Sequence, residues 1–386
     1  MKRALTVVLL MAVVSACMNG AVINTPVAGT AAPSPAPATP AMPTQNPPLA
    51  SSAPSATAPE ASATAAAASA TPPVPSPSGA ASLCEDTQSG STGTRSVGTV
   101  SGQVKSGRIL IGIEAAAGPS GTFALAYIDA SGLRELPAGV ADWTTAHATW
   151  ETPTTVVFDS ERAGDRHLFR ADIGDGTVTQ ITSAFRVGEQ NAAFLGDGRI
   201  VHDEYSCAQA TDFGLHISPT DGSSDSDLTP AHPVNDPAYD SEATVSPDGH
   251  TIVFVRHVDE NNGALFSIDA GGGAATRLMP DSAKVSYPRW SPDGKTILFN
   301  QDVPAGATDL WTIPAIGGTP TRVTQSDPGA IRWEADWSPD GTQIVFKYYE
   351  NGWRYNELHL ANADGSQESV LWTGDNSTAE TPHWGP

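Results

Sequence analysis

Three near-identical phrases constrain the fold of this chain more than any other feature of its sequence. They are VSPDGHTIVF at residues 245–254, WSPDGKTILF at 290–299 and WSPDGTQIVF at 337–346. Within each phrase, proline fixes φ, aspartate can bond its own backbone and glycine can adopt a positive φ, a combination typical of a tight turn. The apolar run that follows is typical of a buried strand. Each phrase therefore predicts a strand, a turn and a second strand.

The spacing of these phrases predicts the architecture. The position that opens each phrase recurs at residues 150, 194, 245, 290, 337 and 384, and a four-stranded propeller blade needs about 40–50 residues. The chain ends with a lone first strand near Trp384, whereas residues 108–137 supply three strands without a first. We therefore expect an all-β, six-bladed β-propeller of four-stranded blades in which the N- and C-terminal strands share one blade. Five or seven blades are the alternatives.

The phrase W-S-P-D-G-x-x-I-V-F, followed by a D-x-x-G hairpin, resembles the propeller repeat of the TolB family. The resemblance covers roughly residues 104–386 and implies the fold more than any one function. The same repeat occurs in the propellers of dipeptidyl-peptidase-like enzymes. Where TolB has a separate α/β domain, this chain has a low-complexity arm.

The N-terminal part predicts export and anchoring. Residues 1–17 carry Lys2-Arg3 and a short apolar run, which is typical of a signal peptide, and end in Val-Ser-Ala-Cys. This ending resembles a bacterial lipobox and implies lipidation of Cys17; an ordinary signal peptide is the alternative. Residues 18–82 are almost wholly Ala, Pro, Ser and Thr, so we expect a disordered linker. Residues 83–386 would then be the propeller, anchored to a membrane of the cell envelope outside the cytoplasm.

Charge and cysteine content bear on partners. Of the 20 Lys and Arg and the 42 Asp and Glu residues, all but Lys2, Arg3 and Glu60 lie after residue 82, so the expected propeller carries a net charge of about −23. Such a field disfavours nucleic acid and favours cations, basic proteins or plain solubility. We expect a monomer. Cys84 and Cys207 either form a disulfide or remain thiols, and no Cys/His spacing is typical of a zinc site.

The position three residues before each opening residue should lie around the mouth of the central channel. The predicted channel-mouth binding residues are His147, Asn191, Glu242, Tyr287, Glu334 and Glu380. In the last repeat the residue at this position is Thr381, the neighbour of Glu380, and Glu189, Arg289 and Asp336 lie close by. Convergent carboxylates could hold a divalent cation such as Ca²⁺ or a Lys or Arg of a partner. Otherwise they form a solvated acidic rim. No other cofactor is expected.

Long loops on the same face are the second candidate surface, because binding residues concentrate on loops held by rigid scaffolds. They include residues 202–205, 240–242 and 257–260. An aromatic loop with Tyr348, Tyr349, Trp353 and Tyr355 could recognise a ligand; the alternative is packing between blades. The opening residues Trp150, Trp290, Trp337 and Trp384 are expected in the core.

The sequence favours a binding function over catalysis. It contains no Gly-x-Ser-x-Gly nucleophile motif, so we expect a non-catalytic module that binds a protein or peptide at the envelope. One alternative is a hydrolase or lyase acting on a glycan or lactone, with His147 or His383 as acid/base and Glu242 or Glu334 as partner. A structural spacer is the other alternative.

Overall fold

The computed structural model describes residues 98–115, 123–141, 145–183, 187–206, 214–230, 238–259, 261–280, 283–304, 306–350, 357–374 and 377–386. The predicted signal peptide, Cys17, the linker 18–82, Cys84 and Cys207 lie outside these residues, so their predictions stay untested. Within the described ranges, no helix is long and apolar enough to cross a membrane.

The described chain consists almost entirely of strands. In chain order the elements are β1 (Thr99–Val100), β2 (Arg108–Ala115), β3 (Phe123–Asp129), β4 (Gly132–Glu135), α1 (Ala138–Ala141), β5 (Thr145–Thr152), β6 (Thr155–Ala163), β7 (Asp165–Asp172), β8 (Val178–Gln180), β9 (Val187–Phe194), β10 (Arg199–Ser206), β11 (Gly214–Pro219), β12 (Ser226–Asp227), β13 (Tyr239–Val245), β14 (Thr251–Asp259), β15 (Asn262–Asp269), β16 (Thr276–Arg277), β17 (Val285–Trp290), β18 (Thr296–Val303), β19 (Ala307–Pro314), β20 (Thr321–Arg322), β21 (Ile331–Trp337), β22 (Gln343–Tyr349), β23 (Glu357–Asn362), β24 (Ser369–Thr373) and β25 (Ser377–Gly385).

The repeated turn has the chemistry that its sequence predicts. In the second phrase, the Ser291 hydroxyl donates to Asp293 (2.7 Å) and accepts the main-chain N–H of Thr296 (3.0 Å). Gly294 takes a φ of 68°. Ser246 and Ser338 make the same bonds in the other two phrases. Each turn therefore fixes the register of the strands that it joins.

These hairpins assemble into antiparallel four-stranded sheets. Four such sheets are separate, with the spatial orders β5-β6-β7-β8, β9-β10-β11-β12, β13-β14-β15-β16 and β25-β2-β3-β4. The remaining nine strands form one larger sheet, in which a single parallel pairing of Thr308 with Ile331 joins β17–β20 to β21–β24. The predicted propeller of four-stranded blades is confirmed, whereas the number of six blades stays a prediction.

The two ends of the propeller share one sheet, as predicted. Strand β25 pairs antiparallel with β2 from Arg108–Gly385 to Ala115–Ser377. Because the last strand of the chain covers the edge of β2, that edge is not available to other chains. The sequence did not predict β1, which pairs with β24, nor the short helix α1.

The core lies between neighbouring sheets. The apolar run after each repeated turn is buried on both faces; Ile252, Val253 and Phe254, for example, are fully buried. Trp150, Trp337 and Trp384 are 5–7% exposed, and Trp290 packs partly buried against a core cluster. The opening aromatic residues are therefore core residues rather than ligand-binding ones.

Candidate functional site at the central cavity

A β-bulge recurs near the middle of the first strand of each repeat. There the register with the second strand shifts, and the bulged residue has a positive φ between 42° and 58°. These residues are His147, Asn191, Glu242, Tyr287, Glu334 and Thr381. Because residues other than glycine rarely adopt such angles, the bulge is a structural feature of the repeat. All six occupy the position that the sequence predicted for the channel mouth.

Five of the six bulged residues line one cavity of about 50 Å³. They are His147, Asn191, Glu242, Tyr287 and Thr381, joined by Arg289 and His383. The space admits a few water molecules or the end of one side chain. Thr381 lines this cavity where the sequence had suggested its neighbour Glu380, and Glu334 lies beside it.

The predicted mouth acids are engaged in holding neighbouring sheets together. Glu242 Oε2 accepts the main-chain N–H of Tyr287 (2.6 Å), and Glu334 Oε2 accepts that of Thr381 (2.6 Å). Each bond runs from one bulge to the bulge of the next first strand. Since a buried N–H without an acceptor is costly, these carboxylates stabilise the fold in addition to any contact with a ligand.

Asp203 and Asn300 do the same from the second strands; the sequence placed Asp203 in the candidate loop 202–205 and did not single out Asn300. Asp203 accepts the N–H of Glu242 (3.0 and 3.1 Å), and Asn300 Oδ1 accepts that of Glu334 (3.1 Å). Asn300 directly follows the apolar run Ile297–Phe299, and Asp203 holds the equivalent position one residue after His202. A polar residue at this point of the repeat is the signal that could have found them.

A histidine–aspartate pair forms one wall of the cavity. His147 Nδ1 lies 2.9 Å from Asp159, which also accepts from Arg166 at 2.9 Å. Burial lowers the pKa of His147, but the Asp159 carboxylate outweighs this effect and raises the pKa above its usual value. Burial likewise opposes ionisation of Asp159, yet His147 and Arg166 hold the pKa of this carboxyl low. Both shifts favour an ion pair between protonated His147 and the Asp159 carboxylate.

Glu242 in the cavity and Asp203 beside it are two acids that the fold keeps hard to ionise. Burial raises the pKa of Glu242 to about 8, and the nearby Asp203 carboxylate adds to the shift. Burial raises the pKa of Asp203 to about 6, although Asn191 and the Glu242 N–H oppose it. At neutral pH, Glu242 therefore carries less negative charge than the sequence suggests.

Beside the cavity the chain supplies its own cation. Buried Lys347 on β22 donates to Glu334 (3.1 Å) and to Glu380. Burial favours the neutral amine, but the two carboxylates outweigh it and raise the pKa of Lys347 well above its ordinary value. The positive charge that the sequence led us to expect from a metal ion or a partner is thus already present at Glu334 and Glu380.

Two of the four aromatic candidates, Tyr348 and Tyr349, do not lie on a loop. Tyr348 and Tyr349 belong to β22, where strand pairing with β23 extends to Tyr348. Tyr348 stacks on His359 with ring centroids 4.5 Å apart, and Tyr349 is 5% exposed. Trp353 and Tyr355 lie outside the described residues, so the recognition role of this group stays a prediction.

Three further segments expected as loops are strand ends. Residues 202–205 lie within β10, residues 240–242 within β13 and residues 257–259 within β14. The hairpins extend further than their apolar runs suggest, because main-chain pairing continues through polar positions. Glu260 lies outside the described residues.

Comparison with known proteins agrees with the propeller fold. Residues 232–386 match a family model described as the TolB beta propeller domain, PD40. The solved structure of TolB from Acinetobacter baumannii has 18% identity and a TM-score of 0.60, over 74% of this chain and 68% of that one. A putative TolB from Agrobacterium tumefaciens has 20% identity and a TM-score of 0.54, over 73% and 99%.

A structure of a nidogen/laminin complex has 11% identity and a TM-score of 0.52, over 72% of this chain and 98% of that one. No curated protein matches. The class of protein is therefore an all-β propeller. More narrowly, the chain carries a TolB-like β-propeller.

Proposed function

We propose that this chain is a lipid-anchored, extracytoplasmic, six-bladed propeller that binds a protein or peptide at the bacterial cell envelope. The observation that carries the proposal is the rigid cavity on the propeller axis, lined by five bulged residues. Concave sites with a few fixed polar groups are the usual binding sites of proteins.

The count of six blades is supported by the contacts between first strands. Strand β5 contacts β9, β9 contacts β13, and the series continues through β17 and β21 to β25, which contacts β5. The bulge recurs in each of these six strands. On this basis the nine-stranded sheet is two blades joined by the single Thr308–Ile331 pairing, with β1 added at the outer edge.

The proposed location rests on the N-terminal sequence. An apolar leader that ends at Cys17 would place a lipid anchor at the start of the mature chain. The linker of residues 18–82 could span about 45 Å as a flexible coil and about 200 Å if extended. Such a reach suits a module that must contact a partner away from its membrane.

The cavity dimensions define the mode of docking. A volume of about 50 Å³ is too small for a peptide segment, so the partner would cover the mouth and insert one side chain. Arg289 is a suitable contact because it lines the cavity, and arginine is enriched among residues that dominate binding energies.

A pull-down from solubilised envelopes tests this proposal with matched variants. Arg289→Ala removes a cation at the cavity, whereas Lys295→Ala removes an exposed cation from the turn between β17 and β18 of the same sheet. We expect the full chain and Lys295→Ala to retain a partner that Arg289→Ala loses. Equal retention by both variants would refute docking at the cavity.

The alternative of a hydrolase or lyase has one specific observation in its favour, the hydrogen-bonded His147–Asp159 pair whose histidine lines the cavity. Against it, the carboxylates of Glu242 and Glu334 are bonded to main-chain amides. A structural spacer would require no cavity contacts and predicts that neither variant changes any interaction.

A further inference from the structure

A cluster of metal-ligating side chains lies away from the cavity, on the sheet β9–β12. Glu204 on β10, His216 on β11 and Asp225 just before β12 place one ligand atom each within 4.8 Å of one another. His216 Nδ1 is 3.5 Å from Glu204 Oε2 and 2.7 Å from Asp225 Oδ2. We call these three residues the His216 cluster.

We propose that the His216 cluster is a binding site for a divalent transition-metal ion such as Zn²⁺. Imidazole nitrogen and carboxylate oxygen bind Zn²⁺ at about 2.0–2.2 Å, so tetrahedral ligands lie about 3.4 Å apart. The His216–Glu204 distance matches this spacing, and Asp225 needs to move by less than about 1 Å. Three protein ligands leave a fourth position open to solvent or to another ligand.

The groups around the cluster resemble the hydrogen-bonding groups that orient metal ligands in other proteins. The second ring nitrogen of His216, Nε2, lies 3.6 Å from Asp227 Oδ1, so a metal on Nδ1 leaves the N–H facing a carboxylate. The Ser218 hydroxyl donates to Asp225 Oδ1 at 2.8 Å. These contacts would fix the orientation of two of the three ligands.

Fully buried His202 supplies an independent observation. It is paired directly opposite His216 in the sheet, and its Nε2 lies 2.9 Å from Ser218 Oγ and 3.5 Å from Asp225 Oδ1. Among the described residues, its Nδ1 has no hydrogen-bond partner. His202 Nε2 therefore supplies a further ring nitrogen next to the cluster, whereas the unsatisfied Nδ1 is the other nitrogen of the ring.

The charge balance also favours a bound cation. Arg166 and Lys347 neutralise the acids at and beside the cavity, but within the described ranges only histidines pair with the acids of the His216 cluster. A divalent ion would bring positive charge to these two carboxylates.

The sequence could not reveal this site because its ligands come from two strands and from the residue just before a third. His202 and Glu204 are two residues apart, so their side chains point to the same face of β10. That face packs toward β5–β8, since Ile200 shares a core cluster with Val157 and Leu168. Register, rather than local spacing, brings His216 beside them.

Isothermal titration of the full chain with Zn²⁺ tests the proposal, using metal-free protein without a histidine tag. We expect one Zn²⁺ per chain. His216→Ala and Glu204→Gln should each weaken binding by at least about tenfold. The matched control is His359→Ala, because His359 also contacts two carboxylates but Arg332 already pairs with one of them.

Binding by His359→Ala should equal that of the unmodified chain. The absence of Zn²⁺ binding, or equal binding by His216→Ala and Glu204→Gln, would overturn the proposal. Binding of Ca²⁺ with no dependence on His216 would also overturn it, because Ca²⁺ takes oxygen ligands. If His216→Ala fails to fold, two measurements still test the proposal. They are Zn²⁺ binding by Glu204→Gln and the absorption spectrum of the Co²⁺ complex of the unmodified chain.

Discussion

At the scale of single residues, the acids of the cavity combine two tasks that are usually separate. Glu242 lines the cavity, and one of its oxygens satisfies the N–H of Tyr287 that the bulge withdraws from the strand ladder. Because the group is buried, ionising it in the folded protein is costly. The stability of the fold should therefore depend on the protonation of this cavity.

Glu242 makes stability fall as the pH rises. Its pKa is about 8 in the folded protein against a usual value of 4.5, so the folded state binds more protons than the unfolded chain between these values. We expect the free energy of unfolding to drop by about 4–5 kcal/mol across this window. Asp203, with a pKa raised to about 6, contributes to this loss of stability in the lower part of the pH window.

Urea unfolding at several pH values measures this dependence. Glu242→Gln should flatten the profile, because glutamine can still accept the Tyr287 N–H but does not titrate. Glu135→Gln, which changes an exposed acid on β4, is the control for the loss of one charge. An unchanged slope in Glu242→Gln would show that this group does not control the effect.

Lys347 makes a second prediction at this scale. Replacing it with methionine leaves Glu334 and Glu380 close together without their cation, which should cost about 3–5 kcal/mol of stability. Adding Glu334→Gln and Glu380→Gln should restore most of this loss, because no buried charge then lacks a partner. A triple variant no more stable than Lys347→Met would contradict this account.

At the scale of elements, the Ser-Pro-Asp-Gly turn is the unit that most directly encodes the fold. Gly294 has a φ of 68°, and an added Cβ would meet its nearest atom at 3.7 Å, an ordinary contact. Gly294→Ala should therefore cost about 1–2 kcal/mol from backbone strain alone. Thermal unfolding measures the loss.

The control for this turn is Gly139→Ala. Gly139 lies in α1 without a positive φ, and its added Cβ would meet nothing nearer than 3.4 Å. Alanine is the better helix former, so this change should be neutral or slightly stabilising. Equal losses in both variants would mean that positive φ is not the cause.

The sequence predicts these hairpins well because turn chemistry and apolar alternation are local. It also places the bulged residues around the axis, since a fixed position in a repeat has a fixed place in the blade. It could not predict that Glu334 would pair with Lys347, and it left open whether Tyr349 recognises a ligand or packs between blades, because both depend on side-chain packing in the folded sheets. For the same reason the sequence could not predict the pairing of β1 with β24 or the His216 cluster.

At the scale of the whole molecule, closure between β25 and β2 should dominate stability. Deleting residues 377–386 exposes the edge of β2 and removes Trp384 from the core. We expect loss of cooperative unfolding and association of chains through the free edge, measured by calorimetry and gel filtration.

Deleting β1 is the matched comparison. It removes a two-residue strand from the outer edge of β24 and leaves the β25–β2 pairing intact. This variant should stay monomeric and unfold cooperatively. If both deletions behaved alike, closure by the terminal strand would not be the dominant contribution.

Docking of a partner over the cavity is the central functional claim, and site-specific photo-crosslinking in intact cells tests it most directly. A benzoyl-phenylalanine in place of Tyr287, which also lines the cavity, leaves Arg289 intact and reports contacts there, and the same group in place of Lys295 reports contacts at the turn of the same sheet. The account predicts a discrete crosslinked protein from position 287 and none from position 295. The same crosslinked protein from both positions, or from position 295 alone, would contradict docking at the cavity.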